Sequence, residues 1–82
     1  AYTVGEQVTG WFGWQQVATV AADTVVRKVV EQDLPLSASL GVLGINGVTA
    51  LLALTRTGEP VAGDTVVVST AAGAVGSAVG QI

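Results

Sequence analysis

Thr65–Ile82 reads TVVVSTAAGAVGSAVGQI and changes character twice within eighteen residues. Thr65–Ser69 is a near-continuous apolar run, the pattern of a strand buried on both faces. Ala71–Gly76 is a turn of glycine and alanine, and from Ala74 onward the residues suit a helix. Within the turn, Ala71-x-Gly73-x-x-Gly76 has the spacing of a dinucleotide fingerprint, with alanine in the first place. Each position has a separate physical reason. The first small residue permits the tight turn from strand to helix. Gly73 lets the backbone approach a pyrophosphate, and Gly76 lets the helix lie close on the strand. The helix N-terminus would then offer free N–H groups and the positive end of its dipole. Gly80 keeps the same helix face thin. These residues also suit a helix packed tightly on a strand with no ligand at all. The charged residue roughly 20 positions further on, which reads the ribose 2′ position in such sites, lies outside these 82 residues.

Upstream, Pro60–Asp64 reads as a loop, and Gly58 is placed to end a helix. Gly47–Leu54, built on leucine and alanine, is that helix, with Asn46 as its N-cap. The Asn46-Gly47 pair also suits a hairpin turn, but its flanks are helical in pattern. Pro35–Leu43 carries leucine and alanine at helical spacing, punctuated by Gly41 and Gly44. Pro35 keeps Leu34 out of helix, and Glu31–Pro35 is a charged break. The N-terminal third is β-rich in pattern. Val4–Val8 and Gly10–Phe12 suggest a short strand entering an aromatic turn. Gln15–Val20 (QQVATV) alternates and suits a strand. Ala21–Asp23 turns, and Thr24–Val30 (TVVRKVV) is a β-branched strand partly facing water.

Half of the 82 residues are apolar and 11% are charged, where a soluble domain carries about 25% charge. Disorder is excluded by that composition. With no cysteine and no histidine, a disulfide scaffold, a His/Cys metal site and a His-dependent nucleophile are excluded within these residues. Three basic residues against six acidic ones argue against a nucleic-acid partner. Two uncharged stretches, residues 34–55 and 65–82, approach the length of a membrane span. The first has Asn46-Gly47 at its middle, which is costly in hydrocarbon, and it has no aromatic belts or one-sided basic cluster; the second is half valine-rich strand and half glycine and alanine. The expectation is no membrane span, no signal peptide and a cytoplasmic location. Sparse charge on a short chain also predicts a sticky homo-oligomer.

Taken together, the chain resembles the zinc-independent medium-chain dehydrogenase/reductases, and within them the NADP-dependent alkenal, or leukotriene/prostaglandin, reductase branch. The resemblance is carried by GWFGWQ at 10–15, LPLSASLGVLG at 34–44, GVTA at 47–50, PVAGDTVVV at 60–68 and AAGAVGS at 71–77. These fall in family order over nearly the whole chain. The fold it implies is α/β: residues 1–33 as the C-terminal part of a β-rich, barrel-like (GroES-like) domain, 34–58 as linking helices, and 59–82 as the first βα unit of a Rossmann domain. On that reading the chain is one piece of a longer enzyme.

The implied activity is NADPH-dependent reduction of the C=C bond of a small enal or enone, with hydride passing to the β-carbon and the carbonyl polarised by hydrogen bonds. The resemblance places Ala71, Gly73, Ala74, Val75 and Gly76 at the pyrophosphate, and Asn46 and Thr49 in the turn near the nicotinamide. It assigns no catalytic residue and no metal ligand here. Four positions depart from the family pattern: Ile45-Asn46 stands for Met-Pro, Leu51 for an aromatic residue, and Thr70 for Gly or Ala. Two readings stand beside the enzyme: a non-catalytic, self-associating interaction module, and a minimal phosphate-binding βα module.

Other groupings favour plain roles. Trp11 and Trp14 suit packing at a barrel edge better than the wall of a substrate site. Glu31 and Asp33 suit a solvated turn better than an acid/base pair. Arg27 and Lys28 suit a solvated strand face better than a phosphate site.

Overall fold

Two antiparallel strands, β1 (Val8–Gly10) and β2 (Val25–Lys28), make the one ladder in the chain. The computed structural model describes residues 1–82. They divide into two units, Ala1–Leu36 and Ser37–Ile82.

In the first unit, Val8 pairs with Lys28, Thr9 with Arg27 and Gly10 with Val25, so Val26 is the extra residue of a bulge. The ladder reaches one step further, with the Val29 N–H donating to the Gln7 carbonyl at 2.8 Å. The Lys28 ammonium donates to Glu6 Oε1 at 2.8 Å and lies 4.9 Å from the centre of the Tyr2 ring. Arg27 pairs with Glu31. β1 begins where the first expected strand ends, because Gly5, at φ +98°, lies in the turn that precedes it. Gln15–Val20 forms no strand, and its alternating pattern finds no neighbour to pair with. Ala22–Thr24 is a 3-10 turn that delivers the chain into β2. Trp11 and Trp14 are exposed rather than packed at an edge, Trp14 fully so.

In the second unit, α1 (Ile45–Leu52) and α2 (Ala74–Gln81) pack on one another. Their buried residues are all small: Gly47 and Ala50 on α1, Ala78 on α2. Small residues let helix axes approach closely, and ridges of larger side chains would hold them apart. The expected helix over Pro35–Leu43 is only a 3-10 turn, Leu36–Ser39, followed by turns to Gly44. Gly41 and Gly44 weaken a helix there. Gly44, not Asn46, caps α1, and Asn46 sits inside its first turn. A Cβ at Gly47 would strike the Val42 carbonyl, so the preceding turn wraps against the start of α1. α1 widens into a π-helical turn, Ala53–Gly58. Glu59, left-handed at φ 44°, closes it by donating its N–H to the Leu54 carbonyl at 2.7 Å.

Thr65–Ser69 departs most from expectation. It has no ladder partner and is not buried on both faces; Val67 is 90% exposed. A strand needs neighbours for its N–H and C=O groups, and no other segment of these 82 residues supplies them. α2 starts at Ala74, where the sequence pattern starts it. No helix is long and apolar enough to cross a membrane.

Candidate functional site

The glycine-rich turn is shaped by Thr70. This β-branched residue holds φ at +52°, a left-handed backbone that such residues rarely adopt. The reversal brings its carbonyl oxygen over the start of α2, where it accepts the Gly73 N–H at 2.8 Å. A Cβ at Gly73 would lie 3.0 Å from Thr70 Cγ2 and 3.1 Å from the Thr70 oxygen. A Cβ at Gly76 would collide with that same oxygen. Gly76 is therefore required by close backbone approach, and Gly73 sits in a tight space against Thr70.

Gly73 is the N-cap of α2, extended at φ −78° and ψ 168°, with no side chain bonding the helix end. The first N–H groups of the helix, from Ala74 to Gly76, lack intrahelical acceptors. The residues that carry them line a groove of about 580 Å³ together with Val66–Thr70. Leu54 and Val79 close its apolar side. The lining is mostly apolar, with polarity supplied by main-chain groups and by Ser69 and Thr70. No charged side chain lines it. An anion here would be held by backbone donors and by the positive end of the helix dipole.

Of the residues singled out from sequence, Gly73, Ala74, Val75 and Gly76 line this groove together. Ala71 is exposed on the turn outside the groove. Asn46 and Thr49 are not in a turn and do not line the groove. They stand three residues apart on α1, and the Thr49 hydroxyl donates to the Ile45 carbonyl at 2.6 Å. A helix places i and i+3 on one face, so they share a face of α1. Sequence reasoning left out Thr70, Leu54 and Val79 as groove residues. Thr70 carried a signal only as a departure from small residues; Leu54 and Val79 read as ordinary apolar helix positions.

Two carboxylates of the first unit have lowered pKa values. The Lys28 ammonium bonded to Glu6 holds that carboxyl below its ordinary range. Glu31 is held down by its own main-chain amide first and then by the Arg27 guanidinium. Both carboxylates are thus structural ion-pair members with acidities suited to staying charged.

Known proteins resemble the chain along nearly all of it. A Bacillus subtilis protein named for NADP-dependent oxidoreductase activity is 49% identical over 78 residues, 95% of this chain and 23% of its own length. NADPH-dependent curcumin reductase of Escherichia coli is 43% identical over 81 residues, 99% of this chain and 23% of its own. The NADP(+)-dependent 2-alkenal reductase of Nicotiana tabacum is 39% identical over 77 residues, 94% of this chain and 22% of its own. The chain therefore spans less than a quarter of the length of these relatives. No family model and no solved structure matches it. Over nearly its whole length, the chain is similar in sequence to NADP-dependent alkenal/enone and prostaglandin reductases.

Proposed function

We propose that this chain supplies the pyrophosphate-binding turn of an NADP-dependent reductase that acts on the C=C bond of enals or enones. The supporting observation is the close approach of Gly73 and Gly76 to the Thr70 carbonyl, in a turn whose residues Gly73–Gly76 line the groove. On this reading the N–H groups of Ala74, Val75 and Gly76 donate to the pyrophosphate oxygens. Gly73 keeps the entrance free of side-chain bulk, and Ala71 forms the outer edge of the turn. NADPH, when bound, supplies the hydride. Asn46 and Thr49, on one face of α1, would lie toward the nicotinamide end. The fold behind this reading is that of the zinc-independent medium-chain reductases: a β-rich barrel-like region before residue 34 and a Rossmann βα unit from residue 59.

The chain carries no assigned catalytic side chain, so the 82 residues alone bind phosphate groups without turning over substrate. NADPH titration followed by NMR should shift the amides of Gly73–Gly76 while those of β1 and β2 stay fixed. Unmoved Gly73–Gly76 amides at saturating NADPH would sink the reading. The purified chain with NADPH and a simple enone should show no turnover, and clear turnover would place catalytic groups where none has been assigned.

A further inference from the structure

We propose that Asn46-Gly47 is a site of spontaneous deamidation that the fold of α1 holds closed. The chemistry needs no partner but water. The main-chain nitrogen of Gly47 gives up its proton and bonds to the side-chain carbonyl carbon of Asn46, and the amide nitrogen leaves as ammonia. Water then opens the cyclic imide at either carbonyl, leaving aspartate or isoaspartate at position 46. Glycine in the following place favours ring closure, because no Cβ restricts its backbone or crowds the attacking nitrogen.

Three observations carry this. First, packing keeps a glycine next to Asn46. Gly47 is buried, and a Cβ on it would strike the Val42 carbonyl. Second, the reacting groups are loosely held. The Thr49 hydroxyl, on the same face of α1, donates to the Ile45 carbonyl at 2.6 Å instead of holding the Asn46 amide. The Gly47 N–H lies in the first turn, where a helix offers no acceptor of its own. It reaches only the Gly41 carbonyl, at 3.4 Å, beyond the usual range of such bonds. The regular ladder begins one residue later, with the Val48 N–H on the Gly44 carbonyl at 3.1 Å.

Third, the helix itself is the gate. Asn46 lies inside α1, and the imide ring closes only when residue 46 leaves helical ψ. Reaction therefore waits for the first turn of α1 to open. Helix ends open most readily, and Gly44 caps this one without a side-chain bond. The two products then act oppositely on α1. Aspartate puts negative charge in the first turn, which the helix dipole favours. Isoaspartate adds a methylene to the main chain and breaks the fit of Gly47 against Val42. Asn46 does not line the groove beside α2, so the site is independent of cofactor binding there.

The test incubates the 82-residue chain at mildly alkaline pH, with and without urea, and follows residue 46 by peptide mapping that separates aspartate from isoaspartate. Conversion should run on the order of 10-fold slower, or more, in the folded chain than in urea. Leu51→Gly weakens α1 without altering residues 46 or 47, and should speed conversion in the folded chain about 4-fold. Leu51→Ala keeps the helix propensity and should leave the rate unchanged. Equal rates with and without urea overturn the proposal, because α1 then closes nothing. An unmodified Asn46 in urea overturns it as well, since the pair then lacks the chemistry. A folded-chain rate indifferent to Leu51→Gly removes α1 as the gate and overturns it equally.

Discussion

The carbonyl oxygen of Thr70 occupies the space that a Cβ on residue 76 would need. One left-handed residue thus decides what the next turn of helix can contain. Gly76→Ala should destabilise the second unit by about 1–3 kcal/mol, the usual cost of forcing atoms into a filled space. The sign is informative, because alanine in a helix is favoured over glycine by about 1 kcal/mol. Gly80→Ala is the matched control. Nothing lies within 4 Å of a Cβ built there, so it should be neutral or slightly stabilising. Urea unfolding followed by circular dichroism measures both; equal effects would show that the Thr70 contact does not form.

Thr70 itself is strained. A non-glycine residue in the left-handed region costs about 1–3 kcal/mol, and glycine adopts that backbone freely. Thr70→Gly should therefore raise the unfolding midpoint, by up to about 1 kcal/mol once glycine's greater unfolded-state freedom is subtracted. A lowered midpoint would mean that the Thr70 side chain contributes packing larger than its backbone strain.

What the sequence made legible follows from the range of the forces involved. The turn at Ala71–Gly76 and the start of α2 at Ala74 are set by residues within a few positions of each other, and spacing alone reads them. The bulged pairing of Thr24–Val30 was visible as a β-branched run but not as a bulge, since Val26 is extra only relative to Gly10 on the other strand. Thr65–Ser69 shows the opposite limit. Its composition reads as a strand suited to burial, but burial needs neighbouring strands, and within these 82 residues the segment has none and is largely exposed. Asn46 failed as a cap for a different reason. The Gly47–Val42 close approach starts the helix two residues earlier than the capping preference places it.

The hairpin should lose stability in acid. Glu6 and Glu31 both have folded-state pKa values lowered from the ordinary 4.5. The unfolded chain therefore binds protons more readily than the folded one between the two values. Their contribution is fully present above the unfolded value near 4.5 and disappears as pH falls through the lowered folded values. Both groups face water, so the effect is small and salt-sensitive. Exchange at the Val29 amide, which donates to Gln7, reports it. Lys28→Met should reduce the pH dependence by removing the principal cause at Glu6, and raised salt should do the same. A profile unaffected by either would remove the Glu6–Lys28 pair from the explanation.

Ala50 is completely buried where α1 packs on α2, and Ala78 is nearly so. With both helices presenting only small residues inward, their spacing depends on the absence of side-chain bulk. Ala50→Leu should cost about 1–3 kcal/mol through overpacking and push the helices apart. Leu51→Ala next to it alters a half-exposed side chain and should change stability far less. The two effects separate by nuclear Overhauser contacts between α1 and α2: Ala50→Leu should weaken them, and Leu51→Ala should leave them intact. If Ala50→Leu instead stabilises the chain and keeps those contacts, the helices have unfilled room between them, and close approach through small residues is not what holds this unit together.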